Sequence, residues 1–271
     1  TPPKRMLEFP AESLVRFLDN HRLIHKKAER PKWRTVKNGS RQYVDKLLAD
    51  FTGEIRLNAN VTSVGKVGDK VRVELSNGSA ELFDEVVMAS HSDQSLKMLS
   101  REQEAQRKIL SAIEYKPNKV YLHRDERLMP KRRAAWSAWN YMGARNTDGE
   151  RDLCVTYWMN RLQNIDNAFP IFVSLNPIVP PADDLTFDVY DYNHPQFDEA
   201  SIEAQADLAT IQGLDGIWFC GAWTKYGFHE DGLASGLDVA RRIGAIIPFE
   251  IESERAAEMI GEPVRRLQPA Q

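Results

Sequence analysis

Nowhere in these 271 residues do two glycines stand one residue apart, so the chain has no G-x-G-x-x-G turn and no fingerprint for a nicotinamide dinucleotide. Cysteine is scarce. Cys154 and Cys220 lie far apart in apolar, strand-like runs, which excludes a disulfide framework and reads as two buried thiols in a reducing compartment. No apolar run approaches the ~18 residues of a membrane span, and the opening residues carry no signal-peptide pattern, so a cytoplasmic protein without a transmembrane segment is expected. A surplus of either charge is missing too: 36 basic against 39 acidic residues leave −3, which gives no electrostatic case for nucleic acid. The local cluster Lys131, Arg132, Arg133 reads as a solvated turn, with a polar headgroup or acidic substrate as the alternative. His21 and His25 have the spacing of a helical metal pair, yet Pro31 follows closely and no Glu or Cys completes a ligand set, so no metal site is expected.

What is present is a globular balance, 42% hydrophobic and 28% charged, over enough length for one large or two ordinary domains. The most patterned stretch runs from Ile217 to Ile247, IWFCGAWTKYGFHEDGLASGLDVARRIGAII. Ile217 to Cys220 reads as a buried strand that ends at Gly221. Beyond an aromatic and glycine-containing loop (Trp223, Tyr226, Gly227, Phe228), Leu233, Leu237, Ala240, Ile243 and Ile247 recur at helical spacing, with Glu230 and Asp231 where negative charge suits a helix start. Gly232, Gly236, Ala240 and Gly244 form a stripe almost without side chains. Interior glycines cost a helix ~1 kcal/mol each, so the stripe predicts a close approach by a neighbouring strand or a flat cofactor. An ordinary tight helix-on-sheet contact would account for it as well.

Earlier in the chain, Leu14, Val15, Phe17 and Leu18 suggest an amphipathic helix, and a second starts after Asn38-Gly39-Ser40 with Tyr43, Val44, Leu47, Leu48 and Phe51 on one face. Ile55 to Leu57 is a short strand candidate. Val61 to Asp84 reads as a three-stranded meander punctuated by Gly68-Asp69 and Asn77-Gly78, closing on the apolar strand Val86 to Ala89. His91 and Asp93 could shuttle a proton, but Asp, Ser and Gln ahead of Leu96, Met98 and Leu99 are equally good helix starters. Ser100 with Gln103 makes a capping-box pattern for a helix bearing Ile109, Leu110 and Ile113. Strands are then expected over Lys119 to Asp125, Ala134 to Tyr141, Leu153 to Asn160, Phe169 to Asn176 and Thr186 to Tyr190. Trp136, Trp139, Tyr141, Tyr157 and Trp158 concentrate there, as core or as the wall of a pocket. A helix over Ser201 to Ile211 returns the chain to Ile217, and a polar tail follows Pro248.

FCGAWTKYGFHEDGLASGLDVARRI, from Phe219, resembles the C-terminal flavin-binding signature of the FAD-dependent amine oxidase superfamily. It is closer still to a bacterial branch of predicted NAD/FAD-binding proteins associated with cyclopropane fatty acid synthases. YNHPQFD at Tyr192, HRDERLMPKRRAAWSAWNYM at His123 and CVTYWMNRLQ at Cys154 fit the same branch, so the resemblance runs from about Trp33 to Ile247. It implies FAD as cofactor, with Gly221 and Ala222 against it and the backbone of His229, Glu230, Asp231 and Gly232 at the pyrimidine end of the ring. Phe228 falls where an aromatic residue stands beside the flavin, Val61 near the adenine, and Ala89 and Ser90 near the ADP moiety. His229 and Tyr226 are candidates to shape the pocket, and no catalytic base is identified.

The superfamily opens with G-x-G-x-x-G. Its absence, with Thr1 in first place, leads to the expectation of a fragment lacking an N-terminal βαβ unit of at least ~30 residues. The expected fold is α/β, in part α+β: an incomplete FAD/NAD(P)-binding Rossmann-like domain plus a mostly antiparallel-sheet substrate domain of the amine oxidase type. Residues 1–35 would be a helical part of the substrate domain, 36–95 the middle of the FAD domain, 96–213 the substrate domain, 214–247 the last strand and helix of the FAD domain, and 248–271 a tail. The resemblance implies an oxidoreductase that passes a hydride from a C–H bond of a small-molecule substrate, an amine or lipid, to flavin. The alternative is a non-catalytic flavoprotein-fold partner of a lipid-modifying enzyme such as a methyltransferase.

Overall fold

The computed structural model describes residues 11–20, 23–26, 34–145 and 151–247. The chain forms two units: residues 1–55 with 116–194, and 56–115 with 195–271. Residues 96–115 and 195–213, expected from sequence in the substrate domain, thus fall in the unit that holds the meander. Burial explains the shift. Leu110 and Ile211 from those segments share one apolar core with Val71, Met88, Ile217 and Phe219.

That unit begins with the antiparallel meander β1 (Val61–Val67), β2 (Lys70–Leu75) and β3 (Ala80–Phe83). Val71 is buried and Val73 half-buried between charged neighbours, the period of two that a one-sided sheet demands. The Asn77-Gly78 hairpin forms as expected, but as a three-residue loop: Leu75 N–H donates to Ser79 O at 2.9 Å, Gly78 takes φ +83°, and Asn77 Oδ1 accepts the Ser79 N–H. Ile55 to Leu57 is not a strand. β4 (Val86–Met88) pairs in parallel with β10 (Ile217–Phe219). The outer edge of β10 is closed by a side chain, because Gln212 Oε1 accepts the Phe219 N–H at 2.9 Å while its Nε2 donates to Phe219 O at 2.7 Å. Helix α3 (Ser92–Met98) starts where the polar run predicts, and α4 (Glu104–Ser111) starts later than the Ser100 pattern predicts. Ser100 Oγ bonds Gln103 Oε1 and its N–H is spent on Val64 O, which ties these residues to β1 before the helix begins.

In the other unit, α1 (Ala11–Asn20) and α2 (Arg41–Ala49) precede a mostly β region. Leu14, Val15, Leu47, Leu48 and Phe51 are exposed, whereas Leu18 and Tyr43 on the same faces are half-buried. His25 bonds Asp19 at 2.6 Å; His21 and Pro31 lie outside the described residues. Five strands follow: β5 (Tyr115–His123), β6 (Trp139–Arg145), β7 (Arg151–Trp158), β8 (Phe172–Leu175) and β9 (Thr186–Pro195), in the order β6-β7-β8-β5-β9. Helix α5 (Met159–Gln163) links β7 to β8. The strand expected from Ala134 is a 3-10 turn at Arg133–Ala135, held by Trp136 Nε1 donating to Pro130 O, and β6 starts only at Trp139. Trp136, Phe172 and Met129 make a small core with Trp158 against it, whereas Trp139 and Tyr141, on alternate positions, are exposed.

A buried polar relay crosses this sheet. Asp125 N–H donates to His123 Nδ1, which places the ring proton on Nε2, 2.8 Å from Ser174 Oγ; Ser174 in turn meets Thr156 Oγ1 at 2.7 Å, and Thr156 meets Cys154 Sγ at 3.8 Å. Burial lowers the His123 pKa to about 4, so the imidazole is neutral.

Candidate functional site

In an open α/β sheet, the carboxyl ends of parallel strands leave backbone groups for a ligand. Here β4 ends at Ala89 and Ser90, and β10 at Cys220 and Gly221. Cys220 N–H donates to Met88 O at 3.2 Å, carrying the parallel ladder one residue past the strands. Gly221 has φ +142°, and a Cβ there would stand 2.8 Å from Trp223 Nε1, so glycine is required on both counts. The buried Trp223 indole donates to Ser90 O at 3.1 Å and so staples the two strand ends together.

The loop beyond is fastened from three sides. Gln205, on α6 (Glu199–Asp207), donates through Nε2 to Trp223 O and Lys225 O at 2.8 and 2.6 Å. Gly227, at φ +86°, packs where a Cβ would stand 2.9 Å from the Phe197 ring. Asp231 Oδ2 accepts the N–H groups of Tyr226 and Phe228 at 3.2 and 2.9 Å, and desolvation still raises its pKa above the ordinary carboxylate value. Helix α7 (His229–Arg242) then starts two residues earlier than its apolar period suggests, with Glu230 and Asp231 in its first turn and Arg241 and Arg242 in its last, both matching the helix dipole.

The predicted close approach through the glycine stripe is not what the structure shows. Among the described residues, and leaving aside the helix's own backbone, a Cβ on Gly236 would meet no heavy atom within 4 Å, and one on Gly232 would make only an ordinary contact, 3.6 Å from Ala222 N. The helix meets the strand end through Ser235, whose Oγ accepts the Gly221 N–H at 2.9 Å and donates to Gly232 O at 2.8 Å.

Of the residues singled out from sequence, Ser90, Gly221, Ala222 and Gly232 come together here, with exposed Ala89 at the end of β4. Phe228, His229, Glu230 and Asp231 form the start of α7 beside them. Val61 opens β1 in the meander, half-buried on the core under β4 and β10. His91 and Asp93 begin α3; His91 stacks on Tyr115 at 4.8 Å, and its Nδ1 stands 3.8 Å from Asp93 Oδ1, too far for a hydrogen bond. Sequence reasoning missed Ser235, Gln205 and the stapling role of Trp223. A buried tryptophan between a strand and a helix is the one signal that could have pointed to it. Cys154 and Cys220 are both buried free thiols, as expected, and burial raises both pKa values. Among the described residues no helix is long and apolar enough to cross a membrane.

Residues 7–167, more than half of the chain, match the family described as "Flavin containing amine oxidoreductase". No curated protein sequence matches the chain. Among solved structures, the CLA-producing fatty acid isomerase from P. acnes superposes with a TM-score of 0.56 at 11% identity, over 76% of this chain and 52% of that one. A reduced UDP-galactopyranose mutase superposes with a TM-score of 0.50 at 10% identity, over 77% of this chain and 51% of that one. The chain therefore spans about half the length of either structure. At these identities the likeness is one of fold, mixed helix and sheet with antiparallel sheets. The family match includes the end of β4 and stops before β10 and α7.

Proposed function

The chain belongs to the family of flavin containing amine oxidoreductases, whose cofactor is FAD, and on that premise we propose that the ends of β4 and β10 with the start of α7 form its contact with the flavin. The observation that carries this reading is the strand end itself. Gly221 presents backbone with no Cβ, Ser235 and Trp223 hold it in place, and among the described residues nothing outside the helix's own backbone stands within 4 Å of where a side chain on Gly236 would begin. These residues fit the face of a flat group. The pyrophosphate turn of a dinucleotide site is absent from the sequence, so they would hold only part of the cofactor.

Bound FAD supplies a hydride acceptor for a C–H bond of a small-molecule substrate, an amine or a lipid. Around it the chain's own residues bind and orient. The first-turn N–H groups of α7 lack intrahelical acceptors and favour negative charge at the ring edge, Phe228 covers that edge, and Tyr226 and His229 shape the surroundings. Val61 would lie near the adenine, and Ala89 and Ser90 near the ADP moiety of the cofactor. The placement in the branch associated with cyclopropane fatty acid synthases and the functional link to a lipid-modifying methyltransferase rest on the sequence motifs alone, and the cytoplasmic location on composition.

The test is flavin retention. Full-length protein should purify yellow, Gly221→Ala should lose most of the colour, and the 271-residue chain by itself should retain little FAD. Equal flavin content in the wild-type and Gly221→Ala proteins would remove the strand end from the cofactor site. Retained flavin without turnover of any amine or lipid substrate would favour the non-catalytic reading.

A further inference from the structure

The unit built on the antiparallel sheet contains a cavity of about 400 Å³ that the flavin reading does not use. That lies at the small end of the range of about 300–1,000 Å³ typical of ligand pockets. Met142 on β6 and Cys154 on β7, direct partners in the strand register, line one side. Leu128 lines it from the turn after β5, and Pro177 to Pro180 line it from the segment after β8.

The walls are stiff. Pro177, Pro180 and Pro181 fix the backbone of the segment after β8, and Ala182 N–H donates to Asp125 Oδ2 at 3.0 Å, tying that segment to the turn that carries Arg127 and Leu128. Opposite, Cys154 is held by the relay through Thr156 and Ser174 to His123.

Among the described lining residues Arg127 alone is charged. Its Nε and Nη2 grip Asp125, while Nη1 makes no hydrogen bond among the described residues. Asp125 is buried and already accepts from Ala182, from the Arg127 N–H and from the guanidinium, so its charge is spent inward. Of the neighbouring charges, Arg133 is paired with Glu126 at 3.6 Å and Asp184 acts on Arg127 from the segment after β8, so the selectivity for an anion rests on the Arg127 guanidinium itself.

We propose that this cavity binds a small amphiphilic monoanion, with its apolar body against Leu128, Met142, Cys154, Ile178 and Val179 and its anionic group on Arg127 Nη1. Apolar walls supply affinity for any body of the right size, and the single guanidinium selects the head.

Calorimetric titration of the chain with octanoate and with 1-octanol tests this. The expected result is saturable one-to-one octanoate binding, about tenfold or more tighter than octanol, because a charge-assisted hydrogen bond is lost with the carboxylate. Val179→Trp, at an exposed lining position, should weaken octanoate about tenfold by filling the mouth, and Arg127→Gln should bring octanoate down to the level of octanol. Equal binding of octanol and octanoate, no saturable binding, or unchanged binding to a Val179→Trp protein with native circular dichroism would each overturn the proposal. The octanol comparison and Val179→Trp decide it even if loss of the Asp125 partner unfolds Arg127→Gln.

Discussion

Ser235 Oγ accepts the Gly221 N–H at 2.9 Å, so helix α7 is tied to the end of β10 by one hydroxyl, with the helix glycines beside the contact and not in it. Ser235 is buried, and Ser235→Ala leaves that N–H without its partner. The expected cost is about 1–3 kcal/mol, read as a lower denaturation midpoint. A variant as stable as the wild type would mean that the strand end finds another acceptor.

Gly236→Ala should stabilise the chain. The position is helical, its Cβ would meet nothing outside the helix within 4 Å among the described residues, and alanine restricts the unfolded chain, so a gain of up to ~1 kcal/mol is expected in thermal unfolding. A loss would reveal a neighbour that the structure does not place there.

Gly221→Ala should act in the opposite direction. At φ +142° the added Cβ is strained, and it would stand 2.8 Å from the indole nitrogen that staples Ser90. About 1–3 kcal/mol of destabilisation is expected. Near-ultraviolet circular dichroism should also change as Trp223 moves, and an unaltered tryptophan signal would contradict this account.

His123 predicts a pH dependence. Its pKa is about 4 in the fold against 6.5 for an ordinary histidine, so between those limits the unfolded chain binds the extra proton. This group's contribution to stability therefore rises with pH from about 4 to about 6.5, is complete above that, and is lost as the pH falls. His123→Gln should flatten that part of the stability profile. A slope that survives the substitution would have to come from other groups.

The meander, the strands β4 and β10 and α7 were legible because each rests on a local pattern: Val71 and Val73 alternate with charges, Val86 to Met88 is an apolar run, and Leu233 and Leu237 share a helical period. The unit boundaries were not legible, since they depend on Leu110 and Ile211 reaching one core from segments about 100 residues apart. The site was legible in its outline and misread in its contacts. Glycine spacing along α7 suggested a close approach, yet which residue touches the strand is set by the rotation of the helix about its axis, and that brings Ser235 to Gly221. Nothing in the sequence marks Gln205 or Gln212, because an amide that replaces backbone partners has no periodicity.

Gln212 carries a consequence of its own. With its amide on both polar groups of Phe219, and Gly213 N–H on Ile217 O at 3.0 Å, the outer side of β10 is already saturated. A strand arriving there from any source gains no new hydrogen bonds until this amide swings away, so addition to the sheet is a displacement in which bonds are traded one for one. Its driving force would have to come from side-chain packing on the sheet faces, and the edge is self-quenched against casual pairing with another chain.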